Sequence, residues 1–315
     1  MPFLGICFSS IIVVLTTIIL SSNTFGFDVQ TKTSSIERGA YLVKASGCVG
    51  CHTDKLNKGQ YLSGGREILS PYGQFYSPNI TPDLETGIGS WSDDDFIKAL
   101  RKGLDPNGSP YYPSFPFTSY TGMSIRDIMD IKAWIFAQKP VYRKNQEHNL
   151  KAPYSWRSLM GIWRIMFFEA GKVPGVTDKK EKESRGSYLV NVLGHCGECH
   201  TPRNMLGDKK RTRLLAGTRY GPGGVLVPNI TSDYETGIGN WTESELRFFL
   251  ISGVKPNGDT VVGEMQEVIE ESLKHLSEKD IQEIARYLLK SKPIHNSIGL
   301  SKKGIYQDNQ SDWWD

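Results

Sequence analysis

The sequence predicts a mostly α-helical protein that contains two copies of one unit. The segment "SPNITPDLETGIGSW" (77–91) recurs as "VPNITSDYETGIGNW" (227–241), with eleven of the fifteen positions identical. A C-x-x-C-H motif at 48–52 likewise recurs at 196–200, at nearly the same separation along the chain. Self-similarity at a period of about 150 residues indicates two duplicated domains rather than a solenoid of short repeats.

Each copy is predicted to open with a helix that leads into its C-x-x-C-H motif. These helices are "SIERGAYLVKAS" (35–46) and "ESRGSYLVNVLG" (183–194). Gly39 and Gly186 occupy equivalent places in the two helices. Because a glycine on a helix surface lets a second helix approach closely, both positions predict a helix contact.

Each copy is predicted to close with a second helix. The segments "SIRDIMDIKAWIFAQKP" (124–140) and "SEKDIQEIARYLLKSKP" (277–293) both begin at a serine that can cap a helix, and both stop at Lys-Pro. Trp134 and Tyr287, within these helices, are expected to pack beside the glycines of the opening helices.

The segment between the copies carries an aromatic stripe. In "APYSWRSLMGIWRIMFFEAG" (152–171), large apolar residues recur at helical spacing at Trp156, Leu159, Trp163, Met166 and Phe167. We expect this helix to cover the seam between the two domains, since such stripes are usually buried. The alternative is a docking face for a membrane or a dehydrogenase partner.

The cysteines point to one cofactor chemistry. Apart from Cys7, all of them lie in the two motifs: Cys48, Cys51, Cys196 and Cys199. A zinc site and a redox dithiol are alternatives, but zinc motifs usually place the histidine further from the cysteines. A histidine directly after the second cysteine favours covalently attached haem, with two thioether bonds per motif and with His52 and His200 directed at the iron.

The N-terminus predicts export. Residues 3–20 carry no charge and are followed by small residues, which is typical of a secretory signal with cleavage after Gly26. The alternative is an uncleaved single-span anchor. The predicted boundaries are 1–26 for the signal peptide, 27–140 for the first domain, 141–180 for the linker, 181–293 for the second domain and 294–315 for a polar tail.

The overall composition excludes several other classes of function. The chain has 315 residues, 37 basic and 34 acidic side chains and a formal net charge of +3, so the charge gives no support for nucleic-acid binding. Its mean hydropathy of −0.36 is that of a globular protein. We find no nucleophile–base signature and no phosphate-binding loop, so the expected chemistry belongs to the cofactor.

The order of these elements is similar to the class I cytochrome c fold: a first helix, C-x-x-C-H, loops and an aromatic-bearing last helix. "CHTPRN", the repeated "PNIT-x-D-x-x-TGIG-x-W" and the tandem arrangement resemble bacterial dihaem cytochromes c. These are related to the cytochrome c subunits of periplasmic alcohol and gluconate dehydrogenases. The resemblance covers roughly residues 35–293 and implies two covalently bound haem c groups in two class I domains joined by a helical linker.

The resemblance also implies the remaining ligands. Met265 lies where this fold supplies the sixth ligand of the second iron, with His275 as the alternative, and Arg203 is expected to contact a haem propionate. The related dehydrogenase subunits carry methionine where this chain has Phe115. Met123 is the only methionine in the distal loop of the first copy, so we predict it as the ligand of the first iron. The alternative is an open or histidine-ligated iron, with Met123 only packing against the following helix.

Four other side chains in the repeat have two interpretations. They either serve the haem edge as polar and indole donors or only fix loops: Asn79, Trp91, Asn229 and Trp241.

The resemblance implies a periplasmic carrier of single electrons rather than a stand-alone enzyme. Its donor would be a dehydrogenase or a quinol-side protein, and its acceptor a cytochrome or an oxidase, with peripheral membrane association as a further expectation. One alternative is a haem enzyme, either a peroxidase or a small-substrate dehydrogenase, with an open site at haem 1. A haem-containing sensor or structural subunit is the third hypothesis.

Overall fold

The computed structural model describes residues 23–176 and 184–298, together with Met1. Most of the predicted signal peptide, the charged segment 177–183 and the tail from residue 299 lie outside the described residues. The described part is mostly helical, as expected, and is compatible with the cytochrome c prediction. Among the helices of this part, none is both long enough and apolar enough to cross a membrane.

Within the residues that the structure describes, the first copy and the linker contain six α-helices and a small sheet. The helices are α1 Asn23–Ala45, α2 Cys48–His52, α3 Asp93–Lys102, α4 Phe117–Tyr120, α5 Ile125–Phe136 and α6 Leu159–Phe167. The strands are β1 Glu67–Ser70, β2 Gly73–Tyr76 and β3 Asn149–Leu150, paired antiparallel in that order. Glu67 lies opposite Tyr76, and Gly73 lies opposite Leu150.

The second copy repeats the helical elements. They are α7 Arg185–Ser187, which continues as a π-helix over Tyr188–Leu193, α8 Gly197–His200, α9 Glu243–Ser252, α10 Glu264–Glu271 and α11 Glu278–Leu289. Single 3-10 turns occur at Arg211–Arg213, Pro222–Gly224 and Leu273–His275.

The opening helix of each copy crosses the closing helix at a glycine, as predicted. A Cβ added at Gly39 would lie only 2.9 Å from Cβ of Trp134, and one added at Gly186 only 2.8 Å from Cβ of Tyr287. Both distances are shorter than real Cβ contacts, so only glycine permits this helix approach. The predicted packing of both aromatic residues beside the glycines is confirmed.

The closing helices begin at the predicted caps. The side chains of Ser124 and Ser277 accept hydrogen bonds from the third residue of α5 and of α11. Ser92 and Thr242 open α3 and α9 with complete capping boxes. These polar caps satisfy backbone N–H groups that have no partner inside the helix.

The π-helix in the second copy accommodates one extra residue. Cys48 follows Gly39 by nine positions, whereas Cys196 follows Gly186 by ten. The wider π turn absorbs this insertion, and the N–H of Gly194 donates to Leu189 O at 2.7 Å. The second motif therefore keeps its position relative to the helix crossing despite the longer connection.

The two copies share one apolar core. It includes Val43, Ile128 and Ile131 from the first copy and Leu189, Leu193 and Ile281 from the second, all nearly inaccessible to solvent. The copies are therefore packed against each other and are not held together by the linker alone.

Two tyrosines also cross between the copies at equivalent places. The Tyr41 hydroxyl donates to Asp280 Oδ2 at 2.6 Å and accepts from Ser277 N at 3.1 Å. The Tyr188 hydroxyl donates to Asp127 Oδ2 at 2.5 Å and accepts from the N–H of the other cap serine. Each closing helix thus receives a hydroxyl from the opposite copy at its first turn.

The predicted stripe of the linker helix is buried only in part. Trp163 is 6% exposed and packs on an aromatic cluster with Phe117, and its indole donates to Leu206 O of the second copy at 2.8 Å. Phe167 also contacts this cluster. The expectation was wrong for three members of the stripe. Leu159 and Met166 are exposed because the buried face of α6 is centred on Met160 and Trp163, and Trp156 is exposed in the segment before the helix begins.

Candidate functional site

The short helix α2 holds the whole first C-x-x-C-H motif, and α8 holds the second motif with Cys196 as its N-cap. A spacing of three residues brings the two cysteines of a motif onto one face of a helical turn. All four of these cysteines are free thiols: Cys48, Cys51, Cys196 and Cys199. Each pair could therefore bind a group that reaches both sulfur atoms.

Both motif histidines are held in the same tautomer. Nδ1 of His52 lies 2.8 Å from Pro78 O, and Nδ1 of His200 lies 2.8 Å from Pro228 O. A carbonyl oxygen only accepts, so each Nδ1 carries the proton and each Nε2 keeps a free lone pair. Burial lowers the pKa of both imidazoles, which keeps the rings neutral.

This arrangement fits an axial haem ligand. A metal-binding histidine typically donates its other ring N–H to a carbonyl or carboxylate, which fixes the ring orientation. The two carbonyl groups belong to the prolines of the repeated "PNIT" segment. The repeat therefore has a definite task in both copies, which is to orient the histidine of the motif.

The asparagines of "PNIT" fix this segment. The amide of Asn79 donates to Val141 O, and the amide of Asn229 donates to Ile294 O, both at 2.8 Å. These carbonyl groups follow the Lys-Pro that ends each copy, so the asparagines join the histidine-orienting loop to the end of the unit. Of the two interpretations of the asparagines, these contacts support loop fixing.

The thiols differ from those of a redox dithiol. Burial, followed by the charge of Cys51, raises the pKa of Cys48 to about 12. Burial also raises the pKa of Cys196 to about 11. Reactive dithiols instead have depressed pKa values and thiolate character. Zinc needs three or four ligands, and in the part of the chain that the structure describes, no three His, Cys, Asp or Glu side chains form such a group.

The predicted sixth ligands lie beside the shared core. Met123 is fully buried there, directly before the Ser124 cap. Met265 lies in the first turn of α10, partly buried against the same core. His275 is exposed and its Nε2 bonds to Glu270 O at 3.1 Å, so it faces the surface. Coordination by the two methionines stays a prediction.

Arg203 forms an ion pair within the second motif. Its guanidinium bonds to Glu198 Oε2 at 2.6 Å and donates to Gly207 O at 2.8 Å. The predicted contact with a haem propionate stays a prediction, because the structure shows this side chain with protein partners.

Glu198 is a site residue that our sequence analysis did not single out. It lies between the two cysteines of the second motif and bonds to Lys209 Nζ at 2.6 Å. Thr118 and Ser119 of the first copy donate to the same carboxylate at 2.9 and 2.7 Å. Burial raises its pKa, but the two neighbouring cations, Lys209 and Arg203, bring the pKa of Glu198 well below its usual value. The signal in the sequence was a charged residue where the first motif has glycine.

The first motif is linked to the second copy, just as Glu198 links the second motif to the first copy. Arg66 donates to Gly50 O at 2.6 Å, inside the first motif, and also to Glu267 Oε2 of α10 at 2.7 Å. Lys55, just after the motif, pairs with Glu271 of the same helix. Each motif thus lies against the segment that precedes the closing helix of the other copy.

Tyr120 connects the two motifs. Its hydroxyl donates to Ser46 O at 2.8 Å, two residues before the first motif. Its ring lies edge-on to His195 at a centroid distance of 5.4 Å, directly before the second motif. His195 itself adopts a left-handed backbone with φ of 37°, which is uncommon for a residue other than glycine. Two cofactors attached at these motifs would therefore lie in adjacent parts of one core.

No protein-family model matches the chain. The chain is 38% identical over 261 residues to a "Diheme cytochrome c-type" protein of Cereibacter sphaeroides, which covers 81% of this chain and 86% of that protein. It is 41% identical over 257 residues to the "Fructose dehydrogenase cytochrome subunit" of Gluconobacter japonicus, and 39% identical over 271 residues to the "Gluconate 2-dehydrogenase cytochrome c subunit" of Pantoea cypripedii. The chain spans 52% and 60% of the lengths of these two subunits.

Proposed function

Because the chain belongs to the dihaem c-type cytochromes, which are related to the cytochrome subunits of dehydrogenases, we propose that it carries single electrons on two covalently bound haem c groups. The observation that carries the proposal is the matched pair of motif histidines. His52 and His200 each present Nε2 while a proline carbonyl holds Nδ1. The same orientation in both copies supports two haem sites rather than one.

At each site the cysteines would attach the haem and the histidine would ligate its iron. Cys48 and Cys51 hold one haem and Cys196 and Cys199 the other through thioether bonds, with a histidine as the proximal ligand in each site. When bound, haem c supplies a one-electron Fe(III)/Fe(II) couple. The apolar core, against which Cys48 and Cys196 pack, would shield both groups from water and so favour electron exchange with little rearrangement.

The names of relatives support the class of redox partner. Two of them are cytochrome subunits of fructose and gluconate dehydrogenases, so a dehydrogenase or a quinol-side protein is our proposed donor. A cytochrome or an oxidase is the proposed acceptor. We place the protein in the periplasm, exported through residues 3–20, with peripheral association to the membrane.

An open iron in the first site is the second candidate, and it would make the protein a haem enzyme. The feature in its favour is Phe115, which the resemblance places at the position of a ligating methionine and which packs on Tyr120 at a centroid distance of 5.8 Å. Carbon monoxide distinguishes the two functions, because a carrier with two six-coordinate irons does not bind it readily. Rapid binding at one haem would favour the enzyme.

Acid–acetone extraction of the purified protein tests the main proposal. Both haems should stay with the protein, and Cys196→Ala/Cys199→Ala should retain one. The same change in the first motif, Cys48→Ala/Cys51→Ala, is the matched variant and should retain the other haem. Free extraction of haem from the wild type would overturn covalent attachment.

A further inference from the structure

Helix α6 has two apolar faces, and the residues that the structure describes cover only one of them. Met160 and Trp163 face the aromatic cluster of the first copy. The opposite face carries Leu159, Ile162, Ile165 and Met166, of which Ile165 is 86% exposed. These four residues lie within one arc of the helix, because they are spaced by three and four positions. A helix that is apolar on all sides is normally buried, so this arc is expected to have a partner.

A turn of the second copy that contacts the covered side of α6 also carries exposed apolar side chains. Leu206 O accepts from the indole of Trp163 at 2.8 Å, and Met205 O accepts from the hydroxyl of Tyr154 at 3.3 Å. The side chains of Met205 and Leu206 are exposed. The exposed arc of α6 and this turn together are called the docking face. Its residues are Leu159, Ile162, Ile165, Met166, Met205 and Leu206.

Positive charge is concentrated in the segments that form the docking face. Residues 151–172 and 202–213 together hold nine Lys or Arg and two acidic residues, which sum to +7. Since the whole chain has a formal charge of +3, the rest of it sums to −4. Two of the nine cations are paired with Glu198 and a third, Lys172, with Glu169. Arg157 and Arg164 lie over the rings of Tyr112 and Phe168, which leaves four other cations in these segments. One of them, Arg211, donates to Phe167 O at the end of α6 at 3.0 Å.

We propose that the docking face binds the surface of an anionic lipid bilayer. Aliphatic side chains on one arc of a helix, bordered by cations, are typical of helices that lie in the membrane interface. Trp156, exposed just before the helix, suits the headgroup region. A protein partner is less well matched, because the exposed arc offers no polar side chain for directional hydrogen bonds. This places α6 against the periplasmic side of a membrane, and it rests on the proposed periplasmic location.

Vesicle flotation with the exported haem-loaded protein tests this inference. The probes are vesicles of phosphatidylcholine alone and vesicles that also contain phosphatidylglycerol. We expect binding to the anionic vesicles, at least tenfold weaker for Ile162→Gln/Ile165→Gln and weakened by salt. Ile251→Gln, an exposed isoleucine on α9, is the matched control and should bind like the wild type.

A second readout localises the contact. A polarity-sensitive dye attached at Met166→Cys should shift to the blue on addition of anionic vesicles, and the same dye at Ile251→Cys should not. Equal binding by the double variant and the wild type, or no dye shift, would overturn the proposal. Retained co-purification of wild type but not the variant with a dehydrogenase, without vesicle binding, would assign the face to a protein. Haem absorbance is recorded throughout. A protein without haem would contradict the proposed function, whereas a wild type that keeps its haem but does not bind vesicles would contradict only the membrane-binding proposal.

Discussion

At the residue scale, the sulfur atoms of two methionines are proposed to set the properties of the two irons. Met123 is fully buried and Met265 is partly buried, both against the shared core. A thioether ligand favours Fe(II) and raises the reduction potential. Leucine has a similar volume but no sulfur, so Met→Leu separates ligation from packing.

Met265→Leu should lower the potential of one haem and abolish the weak red absorption of its ferric thioether bond. Redox titration with visible spectra measures both. Met166→Leu changes an exposed methionine and is the control. Unchanged spectra would direct attention to His275 as the ligand.

Met123→Leu should produce a high-spin haem that binds carbon monoxide in the first site, because leucine cannot coordinate iron. The second haem should keep its spectrum. Carbon monoxide difference spectra of the reduced protein measure this. A high-spin haem already present in the wild type would show that Met123 only packs in the core, and the haem-enzyme function would then be favoured.

Glu198→Gln should destabilise the protein by about 3–5 kcal/mol, because it leaves buried Lys209 without its carboxylate. Chemical denaturation followed by circular dichroism measures the change. Glu278→Gln alters a carboxylate that is 83% exposed and paired with Arg247, and it should have little effect. Equal effects of the two substitutions would contradict the role of burial.

At the element scale, the crossing of the opening and closing helices depends on glycine. Gly39→Ala should cost at least about 1–3 kcal/mol, since its methyl group would overlap the backbone carbonyl of Asp130. Gly161→Ala is the matched control, because a Cβ at this helical position meets nothing within 4 Å. It should instead stabilise the protein by about 0.5–1 kcal/mol. Thermal unfolding of the two variants shows whether the opposite signs occur.

At the scale of the whole molecule, the polar contacts of Asp280 join the two copies, and their contribution to stability should depend on pH. The carboxylate accepts from Tyr41 of the first copy and pairs with Arg185. Burial raises the pKa of Asp280, but its hydrogen bonds to Arg185 and Tyr41 bring it below the ordinary value of 3.8. A carboxyl group with a depressed pKa stabilises the folded state above its unfolded pKa, and this contribution is lost as the pH falls through the folded pKa.

Asp280→Asn should therefore cost about 1–3 kcal/mol at neutral pH, less than a fully buried pair because Arg185 is partly exposed. The difference from wild type should shrink as the pH falls below about 4 and vanish at lower pH. Denaturation at a series of pH values measures it. Glu235→Gln, at an exposed carboxylate, is the control. A difference that grows on acidification would contradict the assigned sign.

The sequence by itself determined the helix ends, the helix crossings and the nature of the cofactor site. Ser124 and Gly39 act through local backbone geometry, which their residue type already specifies. The histidine next to each cysteine pair likewise indicates haem attachment through a motif of only five residues. The repeat then allowed each of these inferences to be made twice.

Only the tertiary structure decided how the copies meet. Glu198 and Thr118 are 80 residues apart in sequence, and Tyr41 and Asp280 are 239 apart. A repeat specifies contacts within a copy, but it does not specify which surfaces of the two copies face each other. For the same reason, the spacing of the stripe placed apolar residues on α6 without showing which arc the core would cover, and Ile165 proved to lie on the exposed one.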